Sequence, residues 1–262
     1  MRYLSLIFIL FFLMTGCSSK NISTPHTKKS IIATEQNSTQ TSEDDEFDDE
    51  FDDETKEVFD PLEGYNRVMT NINDKIYLYA FNPISKGYAF VVPKPVRVGV
   101  SNAFDNLKFP IRFVNNILQL KFDHSIKELG RFMVNSTVGV LGLFDVATKA
   151  GIKRYDEDFG QTLGYWGVGS GFHIVLPFLG PSNLRDTIGL AVDTAISPRT
   201  KSGLEYQIPK NNLESLGYAS LYYTNKNSLH LGEYENLKKD ALDVYTFFRD
   251  AYEQKRAKEI SE

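Results

Sequence analysis

A single cysteine, Cys17, among 262 residues leaves this chain without an intramolecular disulfide or a cysteine-based metal cluster. Histidine is scarce as well. His26, His124, His173 and His230 fall in no HExxH motif and at no paired metal-ligand spacing. There is no GxSxG nucleophile elbow. Gly167-Val-Gly-Ser-Gly lacks the GK[ST] ending of a phosphate-binding loop and the full GxGxxG spacing. Carboxylates stand singly along the amphipathic stretches, and Asp156-Glu157-Asp158 sits in a polar loop. Neither a catalytic centre, a metal site nor a cofactor is expected, and the chain reads as a non-enzyme. Basic excess is missing too. Residues 43–57 hold eleven of the acids, and from residue 58 onward 24 Lys and Arg face 22 Asp and Glu. That near-neutral body excludes the strongly basic face of a nucleic-acid binder.

The N-terminus is rich in what the body lacks. Arg2 supplies a minimal positive start, Leu4 to Leu13 an apolar run too short to cross a bilayer, and Met14-Thr15-Gly16 the residues before Cys17. Residues 1–16 read as a signal peptide whose end resembles the bacterial lipobox. The resemblance implies diacylation of the Cys17 thiol, cleavage, and acylation of the new amine. Three acyl chains anchor stably, since two lipid signals already suffice. Ser18, where Asp would retain the protein elsewhere, implies sorting to the outer membrane. Residues 17–57 are thus a lipidated cysteine plus a disordered tether, whose EDDEFDDEFDDE run keeps it solvated and extended.

From residue 58 the pattern is helical. Asp60-Pro61-Leu62-Glu63 is a helix start, with Asp as cap, Pro at the first position and Glu at the third. Tyr65, Val68, Ile72, Ile76 and Tyr79 recur at helical spacing, and Asn82-Pro83 is expected to end the run. Asn66, Asn71 and Asn73 place uncharged polar groups on this helix. Prolines 83, 93, 95 and 110 cut the first half into short amphipathic helices joined by sharp turns, which favours a curved array over a long bundle. Helices are also expected from Leu184, from Leu213 and over Tyr234–Tyr252, the last reading as the longest.

Phe159–Asp186 organises the rest. Glycines 160, 164, 167, 169, 171 and 180 punctuate a run containing Tyr165, Trp166, Phe172, Ile174, Val175, Leu176, Phe178 and Leu179. Glycine frees the backbone, yet the neighbours are too apolar for a solvated loop. With the glycine-rich apolar stretch Val138–Ala147 this region reads, over roughly Gly139–Gly180, as a helical hairpin or a β-hairpin hinged on glycine, and Tyr165-Trp166-Gly-Val-Gly is compatible with a short strand. Gly167, Gly169 and Gly171 are the expected hinge of this segment, with tight turns in a static core as the alternative.

Several long motifs carry a family. DPLEGYNRVMTNIND (60–74), VVPKPVRVGVSNAFDNLKFP (91–110), FVNNILQLKF (113–122), GRFMVNSTVGVLGLFDVA (130–147) and EDFGQTLGYWGVGSGFHIVLPFLGPSNLRDTIG (157–189) resemble the VacJ/MlaA outer-membrane lipoproteins. The match is clearest over 60–196, within an expected helical domain at 58–258. What the resemblance implies is a mainly α, ring-like array of short amphipathic helices around a channel, lying in the periplasmic leaflet of the outer membrane. Its members let mislocalised phospholipids leave the outer leaflet for a soluble periplasmic carrier of the MlaC type, beside a trimeric porin, and so maintain lipid asymmetry. The rival expectation is a non-catalytic scaffold that supports porins or envelope assembly. By the same resemblance Asn71 and Ile72 stand near the channel mouth. Arg185 is expected either to pair with Asp186 at a helix start or to contact a headgroup.

Overall fold

The computed structural model describes residues 60–197, 212–239 and 241–262, all within a unit spanning Thr55–Glu262. The signal peptide, Cys17 and the acidic tether lie outside the described residues. Asp60 opens the fold by accepting the Leu62 N–H at 3.2 Å, and α1 runs from Glu63–Ile76. The expected stop at Asn82-Pro83 is not observed. A π-helical turn, Tyr77–Phe81, carries α1 directly into α2, Asn82–Val91, and the Asn82 N–H reaches back to the Tyr77 carbonyl. A wider turn relieves the two faults of a proline inside a helix: the missing N–H and the ring clash with the carbonyl four residues back.

Pro93 and Pro110 do act as boundaries. α3 spans Lys94–Leu107 and α4 spans Phe109–Leu118, each with proline in its first turn. α5 covers Phe122–Thr137, and the short α6, Val146–Lys149, is capped by Asp145. α7, Phe159–Tyr165, opens on a full capping box between Asp158 and Gln161. The strand expected around Tyr165-Trp166 is instead the end of this helix. Strand β1 comes later, at His173–Leu176, pairing antiparallel with β2, Gly180–Asn183, so that His173 faces Asn183 and Leu176 faces Gly180. Asn183 then caps α8, Leu184–Ile196, by accepting the Asp186 N–H.

Beyond the undescribed stretch, α9 covers Asn212–Leu229 and packs on α2 and α3. The long helix expected over Tyr234–Tyr252 is two helices: α10, Glu233–Lys239, and α11, Val244–Ser261. Asp243 makes the break, because its carboxylate accepts the Tyr245 N–H and restarts the chain as a new helix. α11 lies against α1, α7 and β2, bringing the C-terminus back to the glycine-rich region. Close crossing requires glycine at one point: a Cβ on Gly189 of α8 would stand 2.4 Å from the Gly160 nitrogen of α7.

The interior is polar. Asn66, Ser85, Asn115, Asn116, Glu128 and Asn183 are each fully buried, while Phe104, Ala147, Val175 and Tyr245 are the buried hydrophobic side chains of the described residues. On the outside stand Phe90, Tyr79, Leu141 and Ile126, the first of them 93% exposed. Soluble domains partition the other way, and charged residues are almost never fully buried unless paired.

Candidate functional site

The polar interior is built from the inward faces of α4 and α5. At helical spacing, Arg112, Asn115 and Asn116 point in from α4, and Ser125, Glu128, Arg131 and Asn135 from α5. Charges taken out of water must be paired and hydrogen-bonded. Glu128 meets both demands: one oxygen takes the Arg112 Nε–H at 2.6 Å, and the other takes the Tyr155 N–H at 2.8 Å. Arg131 donates to both Asp145 oxygens at 3.0 Å, and Asn135 donates to the same carboxylate. Burial alone would raise the Asp145 pKa. Hydrogen bonds from Thr148 and Asn135, with the charge of Arg131, overcome it and hold the group at about 2.

Toward α7 and α8 the lining continues. Asp193 accepts the Phe159 N–H and the Asn115 amide, both at 2.9 Å, but has no directly bonded cation among the described residues. Desolvation wins there and lifts it to about 6. Asp186 sits in the opposite balance. Burial pushes it up, but Arg185 and the α11 guanidinium of Arg256 pull it below the usual range. Arg256 also donates to Asp158 at 2.8 and 2.9 Å, so the C-terminal helix is clipped to α7 and α8 through buried charge.

The hairpin hangs on α1 by two asparagines. Asn66 donates to the His173 carbonyl at 3.1 Å and accepts the Val175 N–H at 2.8 Å. Seven residues on, Asn73 donates to the Leu176 carbonyl and accepts the Phe178 N–H, both at 2.9 Å. Each carboxamide bridges a carbonyl and the N–H two residues later, as a neighbouring strand would. The open end of the hairpin is held by one carboxylate: Glu253 of α11 lies 3.2 Å from His173 Nδ1 and accepts from Asn183, its cross-strand partner.

Between α1, the hairpin tip and the C-terminal helices lies a cavity of ≈ 290 Å³, whose walls include Ile76, Phe81, Val175, Phe178, Leu179 and Phe248. Its surface is mostly apolar, in contrast to the interior around it. The cavity opens to the outside, so a ligand can enter it without the fold unfolding.

The outer surface carries the apolar stripe that the interior forgoes. On α5, Phe122, Ile126, Leu129 and Met133 are all exposed, one helical turn apart. The following loop displays Val138, Val140, Leu141 and Phe144. Val140 and Leu141 adopt left-handed backbone there, with Leu141 and Gly142 N–H groups bonded to the Ser136 and Asn135 carbonyls. Among the described residues, no helix is long and apolar enough to cross a membrane.

The sequence-predicted residues fall into three places. Asn71 and Ile72 are exposed on α1, while Asn66 and Asn73 take the hairpin. Gly167 and Gly171 have φ of +84° and +70°, values that favour glycine, and a Cβ on Gly167 or Gly169 would meet open space. Arg185 is buried, its Nε 2.9 Å from Asp186, the ion pair expected at a helix start. Sequence reasoning missed Asn66, Asn73 and Glu253. The signal was present for the first two, whose seven-residue separation puts them on one helix face, but nothing local to Glu253 marks it.

A family model described as MlaA lipoprotein matches residues 58–259. An Escherichia coli K12 protein named intermembrane phospholipid transport system lipoprotein MlaA is 32% identical over 200 residues, 75% of this chain and 76% of that one. A Rickettsia bellii protein is 34% identical over 202 residues, 77% of this chain and 76% of that one. A solved structure, described as the structural basis for maintenance of bacterial outer membrane lipid asymmetry, superposes with a TM-score of 0.66 at 30% identity, covering 77% of this chain and 99% of the other.

Proposed function

This chain belongs to the MlaA lipoprotein family, and from that premise we propose that it conducts phospholipids out of the outer leaflet of the outer membrane to a soluble periplasmic carrier. The observation that carries the reading is the inverted partition of side chains. Arg112, Asn116 and Glu128 face inward, while Phe90, Ile126 and Leu141 face outward. A phospholipid headgroup moving through hydrocarbon loses its hydration, and each unpaired polar group costs several kcal/mol. Helices that keep polar residues inside and apolar ones in the lipid lower that barrier without any bond being made or broken. In this reading the short helices form a ring around a channel. The chain lies in the periplasmic leaflet, anchored through Cys17, beside a trimeric porin.

Gate movement is assigned to the segment containing Gly167, Gly169 and Gly171, with Asn71 and Ile72 at the channel mouth. A Cβ on Gly167 or Gly169 would meet nothing within 4 Å, which supports a swing at those two positions, while Gly171 packs against Leu184 and stays fixed at the segment's end. Proline at each of the three should leave the protein expressed and block transport; normal barrier function in all three would remove the hinge. Arg185 contacts a headgroup in this scheme only if its pair with Asp186 opens.

Deletion of the gene tests the function as a whole. Surface-exposed phospholipid and detergent sensitivity are expected to rise, and complementation is expected to require Cys17. Altered porin abundance with unchanged surface lipid would instead identify a scaffold.

A further inference from the structure

We propose that the cavity between α1, the hairpin tip and α11 holds one hydrocarbon chain of a phospholipid, leaving its phosphate at the rim beside Arg249. The inference rests on the lipid-transport reading and gives the C-terminal helices a role in it. At ≈ 290 Å³ the cavity lies at the bottom of the ~300–1,000 Å³ range of small-molecule pockets, which suits a stretch of one hydrocarbon chain with the remainder running out over the hairpin tip.

The walls suit a chain. Tyr77 and Tyr234 rings lie 4.3 Å apart, and Tyr234 stacks on Phe248 at 5.4 Å with an interplanar angle of 2°, giving a flat aromatic side. Tyr234 and Phe248 come from α10 and α11, so the cavity exists only when the C-terminal helices are docked. Phe178 and Leu179 form the tip of the hairpin and are 68% and 51% exposed. A chain can therefore pass from surrounding lipid onto them and inward without crossing water.

Two charged side chains line the cavity, Asp74 and Arg249, and Asp74 is held by Lys238 and Tyr234. Arg249 gives its Nε–H to Asp250 at 2.8 Å, and its guanidinium lies 5.7 Å from the Tyr245 ring centre. Asp250 is its one carboxylate partner among the described residues, and beyond it the guanidinium meets only Tyr245. Its remaining N–H groups are the donors that a phosphate oxygen would take.

The test is native mass spectrometry of the full lipoprotein, equilibrated with vesicles of dioleoyl phosphatidylethanolamine and phosphatidylglycerol and released in mild detergent. Wild type and the outer-face control Phe90→Ser are expected to retain one phospholipid per protein. Ile76→Trp, which fills the cavity, and Phe178→Ser, which makes its entrance polar, are expected to lower retention at least fivefold. If Ile76→Trp fails to fold by circular dichroism, Phe178→Ser carries the test, since that side chain is largely exposed. Arg249→Gln should cut retained phospholipid about threefold and leave retained oleyl alcohol unchanged. No lipid on the wild type, or equal retention in the cavity variants, overturns the site; equal effects of Arg249→Gln on both ligands overturn the phosphate contact. A wild type that carries no lipid yet restores outer-membrane asymmetry in cells would sink the cavity alone and leave the transport reading standing.

Discussion

Helices α4 and α5 bury Arg112, Asn115, Glu128 and Arg131 and expose Phe122, Ile126 and Met133, whereas the corner between β1 and α11 buries Val175 and Tyr245 around an apolar cavity. The first region is held by directional bonds between charges that have nowhere else to go. The second combines packing with the carboxamides of Asn66 and Asn73 and the single carboxylate of Glu253. In α4 and α5 much apolar surface stays exposed, and in the proposed function lipid covers it, so its burial is no part of the fold's own stability. Polar bonding has to supply more there than in a water-soluble domain, which makes this region intolerant of any broken pair.

The largest effect should come from breaking that pairing. Glu128→Leu leaves Arg112 and Arg131 short of an anion, and loss of one partner of a buried pair costs about 3–5 kcal/mol. Urea unfolding in detergent measures it; a change under 1 kcal/mol would mean that water reaches these charges. Next is the hairpin. Asn66→Ala strips a partner from the Val175 N–H and the His173 carbonyl, and at ~1–3 kcal/mol for each buried orphan the loss should be about 2–4 kcal/mol. Amide exchange at Val175 should accelerate with it, and protection as in wild type would show that the two regions differ less than the bonding implies.

Acidity separates two carboxylates of the interior itself. Asp193, lifted to about 6 in the fold, keeps its proton where the unfolded chain has lost it. Its contribution therefore raises stability as pH falls from above 6 toward 4, by an amount on the order of 2–3 kcal/mol. Asp145, held at about 2, acts oppositely: it stabilises above the ordinary carboxylate range and its contribution disappears as pH drops from 4 toward 2. Denaturation midpoints measured across pH 3 to 8 should show a flatter slope between 4 and 6 in Asp193→Asn. An unchanged slope would contradict the desolvation argument. Smallest of all in folding is the outer stripe, where Ile126→Ser should shift stability by less than about 0.5 kcal/mol. The same variant should weaken vesicle binding about tenfold, since a buried side chain of this size is worth ~1.5–3 kcal/mol.

The two regions were also unequally legible. Helix existence and the breaks at Pro93 and Pro110 follow from spacing and proline chemistry, which are local. Pro83 misleads because a π turn accommodates it, and a π turn has no residue signature to announce it. The long C-terminal helix misleads because its apolar spacing survives a break that Asp243 makes. In α5 the sequence reads as an amphipathic helix, but which face meets the interior is not local information: Ile126 lies exposed and Glu128 buried, the reverse of a water-soluble domain. The hairpin clamp was half legible, since Asn66 and Asn73 share a face, while their backbone partners lie about a hundred residues away.

Nitroxide labels along α5 in a phospholipid bilayer test the inverted partition most directly. Spin labels at positions 122, 126, 129 and 133 should relax readily with dissolved oxygen and scarcely with a water-soluble nickel chelate, the pattern of hydrocarbon contact. Ready relaxation by the chelate at all four would put that face in water and contradict the account.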